Sequence, residues 1–223
     1  MRAEHKVCPT KNRNIRKGTV RVDLFEKEAM AAGFKLVAGV DEAGRGPLAG
    51  PVVAAVVIFH ELPLNLGIKD SKALSPKKRD ELAPEIFARA LAVGVGIVWQ
   101  EEIDEVNIHH AALKAMAQAI GGLIEKGLAP DFILVDGKFV IPSLDIPQKA
   151  IVAGDSLSVS IAAASIIAKT TRDRIMKAYH NIYPGYNFAR NKGYGTEEHM
   201  AAIRKIGPSP VHRKTFSYAG KVC

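Results

Sequence analysis

The chain has 223 residues, of which 48% are hydrophobic and 24% are charged. This length and composition are typical of one sizeable globular domain, and they exclude a low-complexity protein. No apolar run approaches the roughly 20 residues that a transmembrane helix needs, so a membrane protein is also excluded. The formal net charge of +8 indicates a polyanionic partner, although many basic proteins never bind nucleic acid.

The N-terminal segment is basic and polar, and it lacks the apolar core of a secretory signal peptide. We predict a flexible leader over residues 1–34 that includes a short helix between residues 22 and 32. The two cysteines, Cys8 and Cys223, lie near opposite ends of the chain. Because a structural disulfide between them is not expected, their placement indicates a reducing cytoplasm.

Strands and helices alternate after the leader, which is the pattern of an α/β domain. Strands are predicted over residues 35–40, 52–59, 92–99, 132–135 and 150–153. Helices are predicted to begin at Ser75, to end at Gly127, and to cover residues 160–179 and 196–206. Ser75 offers a capping hydroxyl and is followed by a proline at the first helical position. Pro84 is expected to kink or shorten that helix.

Acidic side chains follow three of the predicted strands. Asp41 and Glu42 close the first strand, and Asp136 and Asp155 lie just beyond two later ones. Because sites in open α/β sheets are built at the carboxyl ends of strands, these acids could converge on one cluster. Like charges this close need a cation, and a set of oxygen ligands suits Mg²⁺ or Mn²⁺ rather than zinc.

Some of these acids also have a simpler structural interpretation, which stays open. Asp155 precedes two serines and could cap a helix, and Asp136 with its following glycine could form a plain turn. Asp173 is assigned to an ion pair with Arg172 or Arg174. An unbroken helix would carry it about 27 Å beyond Asp155. Paired metal ions lie roughly 3.5–4 Å apart, so both acids cannot easily serve one site.

The segment Gly44-Arg45-Gly46-Pro47 follows the first pair of acids. Its glycines allow a bend and the close approach of a ligand to the backbone. It formally fits a dinucleotide-binding pattern, but the β-branched residues after it predict a strand instead of the helix that this pattern needs. Acids beside exposed amides and an arginine suit a cation that must meet a phosphate, so this turn is a candidate active site.

Aromatic and basic residues alternate late in the chain, a composition that suits nucleic-acid binding. Tyr183 and Phe188 are predicted to pack in a turn that covers the core. Tyr194, which stands between two glycines and near Lys192, is the better candidate for a substrate contact. The sequence His212-Arg213-Lys214 either contacts phosphates or forms a solvated tail.

Six motifs occur in order between Leu36 and Phe216. They are Gly39-Val40-Asp41-Glu42-Ala43-Gly44-Arg45-Gly46-Pro47, Asp70-Ser71-Lys72, Val135-Asp136-Gly137, Gly154-Asp155 followed by Ala163-Ala164-Ser165-Ile166-Ile167-Ala168-Lys169, Asn191-Lys192-Gly193-Tyr194-Gly195-Thr196, and His212-Arg213-Lys214-Thr215-Phe216. Together these motifs resemble those of the ribonuclease HII family.

The resemblance implies an α/β fold of the ribonuclease H-like type, with a mixed five-stranded sheet flanked by helices and a helical C-terminal extension. The catalytic domain would cover residues 35–217, after the leader 1–34 and before a tail at residues 218–223. It also implies a monomeric endonuclease that uses Mn²⁺ or Mg²⁺. Such an enzyme cuts the RNA strand of RNA–DNA hybrids, including a single ribonucleotide embedded in duplex DNA. Two-metal-ion catalysis would leave a 5′-phosphate and a 3′-hydroxyl.

The resemblance further implies roles for individual residues. The metal-binding catalytic acids would be Asp41, Glu42, Asp136 and Asp155. The loop that reads the 2′-hydroxyl at the RNA-to-DNA junction would be Gly44, Arg45 and Gly46, and Tyr194 would pack on the sugar there. Lys72 and Lys192 are further substrate-binding candidates.

Two other functions use part of the same sequence pattern. A module that only binds hybrid duplexes would explain the basic charge but not the clustered acids, which repel phosphate without metal. A junction-resolving nuclease would share the acids but would not need a loop that reads the 2′-hydroxyl.

Overall fold

The computed structural model describes residues 23–63, residue 68 and residues 74–218. One sheet runs through it in the strand order β3-β2-β1-β4-β5. The strands are β1 (Val37–Ala43), β2 (Val52–Phe59), β3 (Ala90–Val98), β4 (Phe132–Asp136) and β5 (Gln148–Ile151). The pairs β1–β2 and β2–β3 are antiparallel, whereas β1–β4 and β4–β5 are parallel. The expectation of a mixed five-stranded sheet is therefore confirmed.

The described part of the chain contains six α-helices. They are α1 (Leu24–Ala31), α2 (Pro76–Arg89), α3 (Gln100–Ile124), α4 (Val159–Ile182), α5 (Phe188–Asn191) and α6 (Glu197–Ile206). Ser75 caps α2, because its hydroxyl accepts a 3.2 Å hydrogen bond from the Lys78 N–H. The helix continues through Pro84, so this proline does not end it. None of the described helices has the length and apolar composition of a membrane span.

Helices cover both faces of the sheet and approach it closely where small residues allow. A side chain at Gly96 in β3 would place its Cβ 2.0 Å from the Ala115 carbonyl oxygen of α3. On the other face, a Cβ at Gly39 in β1 would lie 2.2 Å from the carbonyl carbon of Ser160 in α4. The small residues that begin α4, Ser160 and Ala162–Ala164, permit such packing. As a result α4 lies directly over β1.

Helix α1 packs against the start of α4 through a buried acid. The Glu26 carboxylate is fully buried and accepts hydrogen bonds from the Ser158 hydroxyl at 2.5 Å and the Ser160 N–H at 2.9 Å. Burial raises the pKa of Glu26, and these hydrogen bonds oppose the rise.

The domain boundary near residue 34 stays a prediction. The segment before Asp23, both cysteines and Lys72 lie outside the described residues.

Candidate active site

The first two acids lie inside β1 rather than after it. β1 pairs with β4 only as far as Val40, which is opposite Val135. Its pairing with β2 continues to Ala43. The prediction that this strand ends at Val40 is therefore wrong, because the antiparallel partner extends it. Asp41 and Glu42 project from this extension, at the carboxyl edge of the parallel strands.

The register of the parallel strands brings Asp41 next to Asp136. Each is the residue that follows the paired Val40 and Val135, so both side chains point to the same face of the sheet. Asp41 is only 3% exposed. Burial raises the pKa of Asp41 well above its usual value, and the carboxylates of Glu42 and Asp136 raise it further. These three acids are therefore close enough to repel one another.

Glu42 belongs to the same group but has a cationic partner. Arg45 Nη1 lies 3.2 Å from Glu42 Oε1. Burial raises the pKa of Glu42, Asp136 contributes to the rise, and the guanidinium of Arg45 opposes it. The arginine side chain is about half exposed, so the loop that follows β1 supplies a cation at the rim of the acidic group.

Asp155 lies in a short turn that is hydrogen-bonded to Asp136. It is 3% exposed within a single 3₁₀ turn, Gly154–Ser156, and the Gly154 N–H donates to Asp136 Oδ1 at 2.7 Å. The helix cap that was considered for Asp155 is supplied by another residue. Ser158 caps α4, and its hydroxyl accepts from the Ile161 N–H at 3.1 Å.

The acids fit a hard divalent cation. Asp41 Oδ1 accepts from the Glu42 N–H at 2.7 Å, whereas Asp41 Oδ2 is buried and accepts no hydrogen bond within the described structure. The nearby Ser165 hydroxyl offsets only part of the effect of burial on the pKa of Asp41. Among the described residues, no three His, Cys, Asp or Glu side chains form a complete ligand set. This arrangement suits Mg²⁺, which is usually held by one or two carboxylates and otherwise by water and phosphate.

Two glycines in the loop after β1 have different reasons to be glycine. Gly44 has φ +102°, and a Cβ there would lie 2.2 Å from Arg172 Nε, so the fold itself requires glycine. Gly46 has no such constraint. A Cβ at Gly46 would lie 3.6 Å from Tyr194 Cε1, which is an ordinary contact distance. Packing therefore explains Gly44 but does not explain Gly46.

Arg213 holds this loop in place from beneath. Its fully buried guanidinium donates hydrogen bonds of 2.6–3.1 Å to carbonyl oxygens of the loop. The acceptors belong to Gly44, Arg45, Pro47 and Gly50. The prediction of a phosphate contact or a solvated tail is thus wrong for Arg213 and for the buried His212. A planar group with five N–H donors satisfies the carbonyls of an irregular buried loop.

Arg172 joins the same loop to the segment that carries Tyr194. Its guanidinium donates to the carbonyl oxygens of Ala49 at 3.0 Å, Pro51 at 2.9 Å and Lys192 at 2.9 Å.

The predicted ion pair of Asp173 with Arg172 or Arg174 is wrong. Asp173 instead pairs with Lys169 Nζ at 2.5 Å and lies 3.9 Å from Arg79 Nη2. Residues four apart share a helix face, whereas adjacent residues do not.

A cleft of about 380 Å³ opens beside Asp41, Glu42, the glycine loop and Tyr194. Its lining residues are Asp41, Glu42, Ala43, Gly44, Arg45, Gly46, Arg79, Ser165, Lys169 and Tyr194. The Tyr194 ring is 44% exposed. No role was predicted from the sequence for Lys169 or Arg79, although Lys169 belongs to one of the six motifs. Lys192 is not among the lining residues, and its ammonium donates to the Ala189 carbonyl.

Known proteins resemble this chain over most of its length. The family model for ribonuclease HII matches residues 38–219. The ribonuclease HII of Syntrophus aciditrophicus is 55% identical, with 88% of this chain and 91% of that protein covered. The ribonuclease HII of Bacillus subtilis is 51% identical, with 93% and 79% covered. The crystal structure of ribonuclease H2 from Pyrococcus horikoshii OT3 matches with a TM-score of 0.68 and 29% identity, covering 82% of this chain and 95% of that one. The chain belongs to the ribonuclease HII family and is a metal-dependent nuclease with ribonuclease H activity.

Proposed function

We propose that this enzyme cuts the RNA strand of RNA–DNA hybrids and also cuts at a single ribonucleotide embedded in duplex DNA. The products would carry a 5′-phosphate and a 3′-hydroxyl. The observation that carries the proposal is that the buried Asp41, the Gly44–Gly46 loop and the exposed Tyr194 ring line one cleft. Carboxylates that suit a metal ion therefore lie beside a backbone that a ribose can approach.

Asp41, Glu42, Asp136 and Asp155 would hold two Mg²⁺ or Mn²⁺ ions. Bound ions supply the activation of a water molecule and the stabilisation of the leaving oxygen in an in-line displacement. Asp41 would contribute its buried Oδ2, which accepts no hydrogen bond within the described structure. Gly154 N–H already orients Asp136, because it donates to Oδ1 and directs the carboxylate.

The Gly44–Gly46 loop would recognise the ribose. The 2′-hydroxyl is the group that distinguishes RNA from DNA at a given position. The absence of a side chain at Gly46 leaves the backbone open next to the Tyr194 ring, and packing does not require that absence. The exposed Tyr194 ring would pack on the sugar and hold the 2′-hydroxyl against the loop amides.

Cationic side chains on one wall of the cleft would contact the phosphates. Lys169 and Arg79 both line the cleft, and Asp173 holds both from behind. Burial lowers the pKa of Lys169, and the ion pair with Asp173 opposes this shift. Lys192 remains a proposed contact outside this wall, and Lys72, which lies outside the described residues, also remains proposed. We further propose a monomeric and cytoplasmic enzyme, and the two cysteines near opposite ends of the sequence support the cytoplasm.

The function is tested with a DNA duplex that contains one ribonucleotide. Purified enzyme is incubated with this duplex in Mg²⁺ or in Mn²⁺, and with an all-DNA duplex of the same sequence. We expect cleavage of the ribonucleotide-containing strand alone, with a 3′-hydroxyl on one product. A chelator should abolish it. Cleavage of the all-DNA duplex, or cleavage that survives the chelator, would refute the proposal.

Gly46→Ala is expected to lower kcat/KM on the single-ribonucleotide duplex by about tenfold or more, because a methyl group would obstruct the approach of the ribose. The melting temperature should stay unchanged, since the added Cβ finds an ordinary contact distance. Steady-state cleavage and thermal unfolding measure the two effects. If Gly46→Ala cuts as fast as the wild type, the loop does not read the sugar at this position.

A further inference from the structure

Two histidines form a buried pair behind Tyr194. His199 in α6 is fully buried and His212 is 2% exposed. Their Nε2 atoms lie 3.0 Å apart. The Ser209 N–H donates a hydrogen bond to His212 Nδ1 at 2.9 Å, and His199 Nδ1 lies 2.8 Å from the Tyr194 carbonyl oxygen. A continuous chain of hydrogen bonds therefore runs from Ser209 to the residue that would contact the sugar.

One backbone N–H determines where every proton in this chain lies. The Ser209 N–H can only donate, so His212 Nδ1 must be unprotonated and His212 must carry its proton on Nε2. That proton is donated to His199 Nε2, which must in turn be unprotonated. His199 therefore carries its proton on Nδ1 and donates it to the Tyr194 carbonyl. The two imidazoles have opposite tautomers.

The chain requires both imidazoles to be neutral. A second proton on His212 would lie on Nδ1 and face the Ser209 N–H, although the Ser209 Oγ lies 2.8 Å from the same nitrogen. A second proton on His199 would lie on Nε2 and face the His212 Nε2–H. The rings that surround the pair favour the neutral state, because Tyr186 and Phe188 pack against both histidines and Tyr218 packs against His212. Burial lowers the pKa of His199 and, with the nearby His199, lowers the pKa of His212 to about 4.

Glycines flank the residue that receives the chain of hydrogen bonds. On its N-terminal side the Tyr194 N–H donates to the Asn191 carbonyl at 2.9 Å and the Leu48 N–H donates to the Gly193 carbonyl at 2.8 Å. Tyr194 stands between Gly193, which has φ +83°, and Gly195. Its carbonyl oxygen accepts from the Thr196 N–H at 2.8 Å as well as from His199. Thr196 in turn caps α6. His199 is therefore the side chain within α6 that fixes the position of the Tyr194 carbonyl group.

We propose that His199 and His212 are positioning residues that hold the Tyr194 backbone, and with it the ring, at the distance from Gly46 that sugar binding requires. This inference rests on the proposed contact between Tyr194 and the ribose. Burying two imidazoles inside an aromatic cluster costs desolvation free energy unless their ring nitrogens are hydrogen-bonded. The defined orientation of the Tyr194 carbonyl is what their hydrogen bonds provide.

The tautomers are tested without any cleavage assay. Long-range ¹H–¹⁵N spectra of the wild-type enzyme distinguish protonated from unprotonated ring nitrogens. We expect His212 as the Nε2–H tautomer and His199 as the Nδ1–H tautomer at neutral pH. Two identical tautomers, or a charged ring at either position, would overturn the proposal.

Two variants of His199, each with an amide group near the position of one ring nitrogen, separate positioning from packing. In His199→Asn the amide nitrogen takes the place of Nδ1 and can still donate to the Tyr194 carbonyl. In His199→Gln the amide reaches the position of Nε2, and the donor to Tyr194 is lost. We expect kcat/KM on the single-ribonucleotide duplex to fall by about tenfold in His199→Gln and to stay near the wild-type value in His199→Asn. Equal losses in the two variants would overturn the proposal.

A double-mutant cycle with Tyr194→Ala decides whether the effect passes through the ring. We expect His199→Gln to lower kcat/KM further by less than about twofold when Tyr194 is already alanine. Phe188→Leu serves as the control, because it removes packing next to both histidines but no hydrogen bond of the chain. Its effect should be the same with and without the Tyr194 ring.

The possible failures are distinguishable. An undiminished tenfold loss from His199→Gln in the Tyr194→Ala background would overturn the positioning role while the sugar contact stands. If Tyr194→Ala cleaves as fast as the wild type, both the sugar contact and the positioning role are refuted. Absence of any cleavage by the wild-type enzyme would refute the proposed function itself.

Discussion

Asp41→Asn is expected to reduce cleavage of an RNA–DNA hybrid by about 10³-fold or more while hybrid binding is largely retained. The carboxylate lies at the centre of the acidic group and has a buried oxygen that accepts no hydrogen bond in the described structure. Asparagine keeps the shape of the side chain, and its oxygen can still accept from the Glu42 N–H. The substitution removes the negative charge and replaces Oδ2, the oxygen proposed to bind the metal ion, by an NH₂ group that cannot bind it. Single-turnover cleavage and a filter-binding titration measure the two effects.

The same substitution is expected to leave the stability unchanged or to raise it. Burial and the neighbouring acids Glu42 and Asp136 both disfavour a charge at Asp41, so its removal relieves repulsion in the metal-free protein. Asp145→Asn is the matched control, because Asp145 is an exposed acid that is not among the residues lining the cleft. Its activity and melting temperature should be those of the wild type. Full activity of Asp41→Asn would remove Asp41 from the mechanism.

Arg213→Leu is expected to lower the free energy of unfolding by more than about 3 kcal/mol. The leucine would leave the loop carbonyls of Gly44, Arg45, Pro47 and Gly50 buried without a donor. Arg213→Lys should also destabilise, since one ammonium cannot reproduce the planar set of donors. Urea denaturation measures both changes.

The effect of Arg213→Leu should extend to activity, because the loop that it supports lines the cleft. Arg204→Leu is the control. Arg204 is an exposed residue in the last turn of α6, and surface substitutions of this kind usually change stability by about 0.5 kcal/mol or less. If Arg213→Leu were no less stable than Arg204→Leu, the hydrogen bonds from Arg213 would not hold the loop.

The order of elements could be predicted from the sequence because local patterns determine it. The capping Ser75, the alternating apolar segments and the small residues at the start of α4 are all signals within one element. The end of β1 could not be predicted, because it depends on how far β2 pairs with it. The adjacency of Asp41 and Asp136 likewise follows from the register of β1 against β4, which neither strand encodes alone.

The burial of Arg213 and His212 likewise could not be predicted from local sequence. A basic segment near the end of a chain looks solvated when its neighbours in sequence are considered. The carbonyl groups that accept hydrogen bonds from the buried Arg213 belong to the Gly44–Gly50 loop, far earlier in the chain. The pairing of Asp173 was different, because the spacing of four residues to Lys169 was a local signal that could have identified it.

The proposed mechanism requires Asp41 and Asp136 to hold divalent ions. Titration calorimetry with Mn²⁺, without nucleic acid, tests this claim for the wild type, Asp41→Asn, Asp136→Asn and the control Asp145→Asn. We predict binding to the wild type and to Asp145→Asn, and binding weakened by about tenfold or more in the other two. Equal Mn²⁺ affinity in all four proteins would contradict the account.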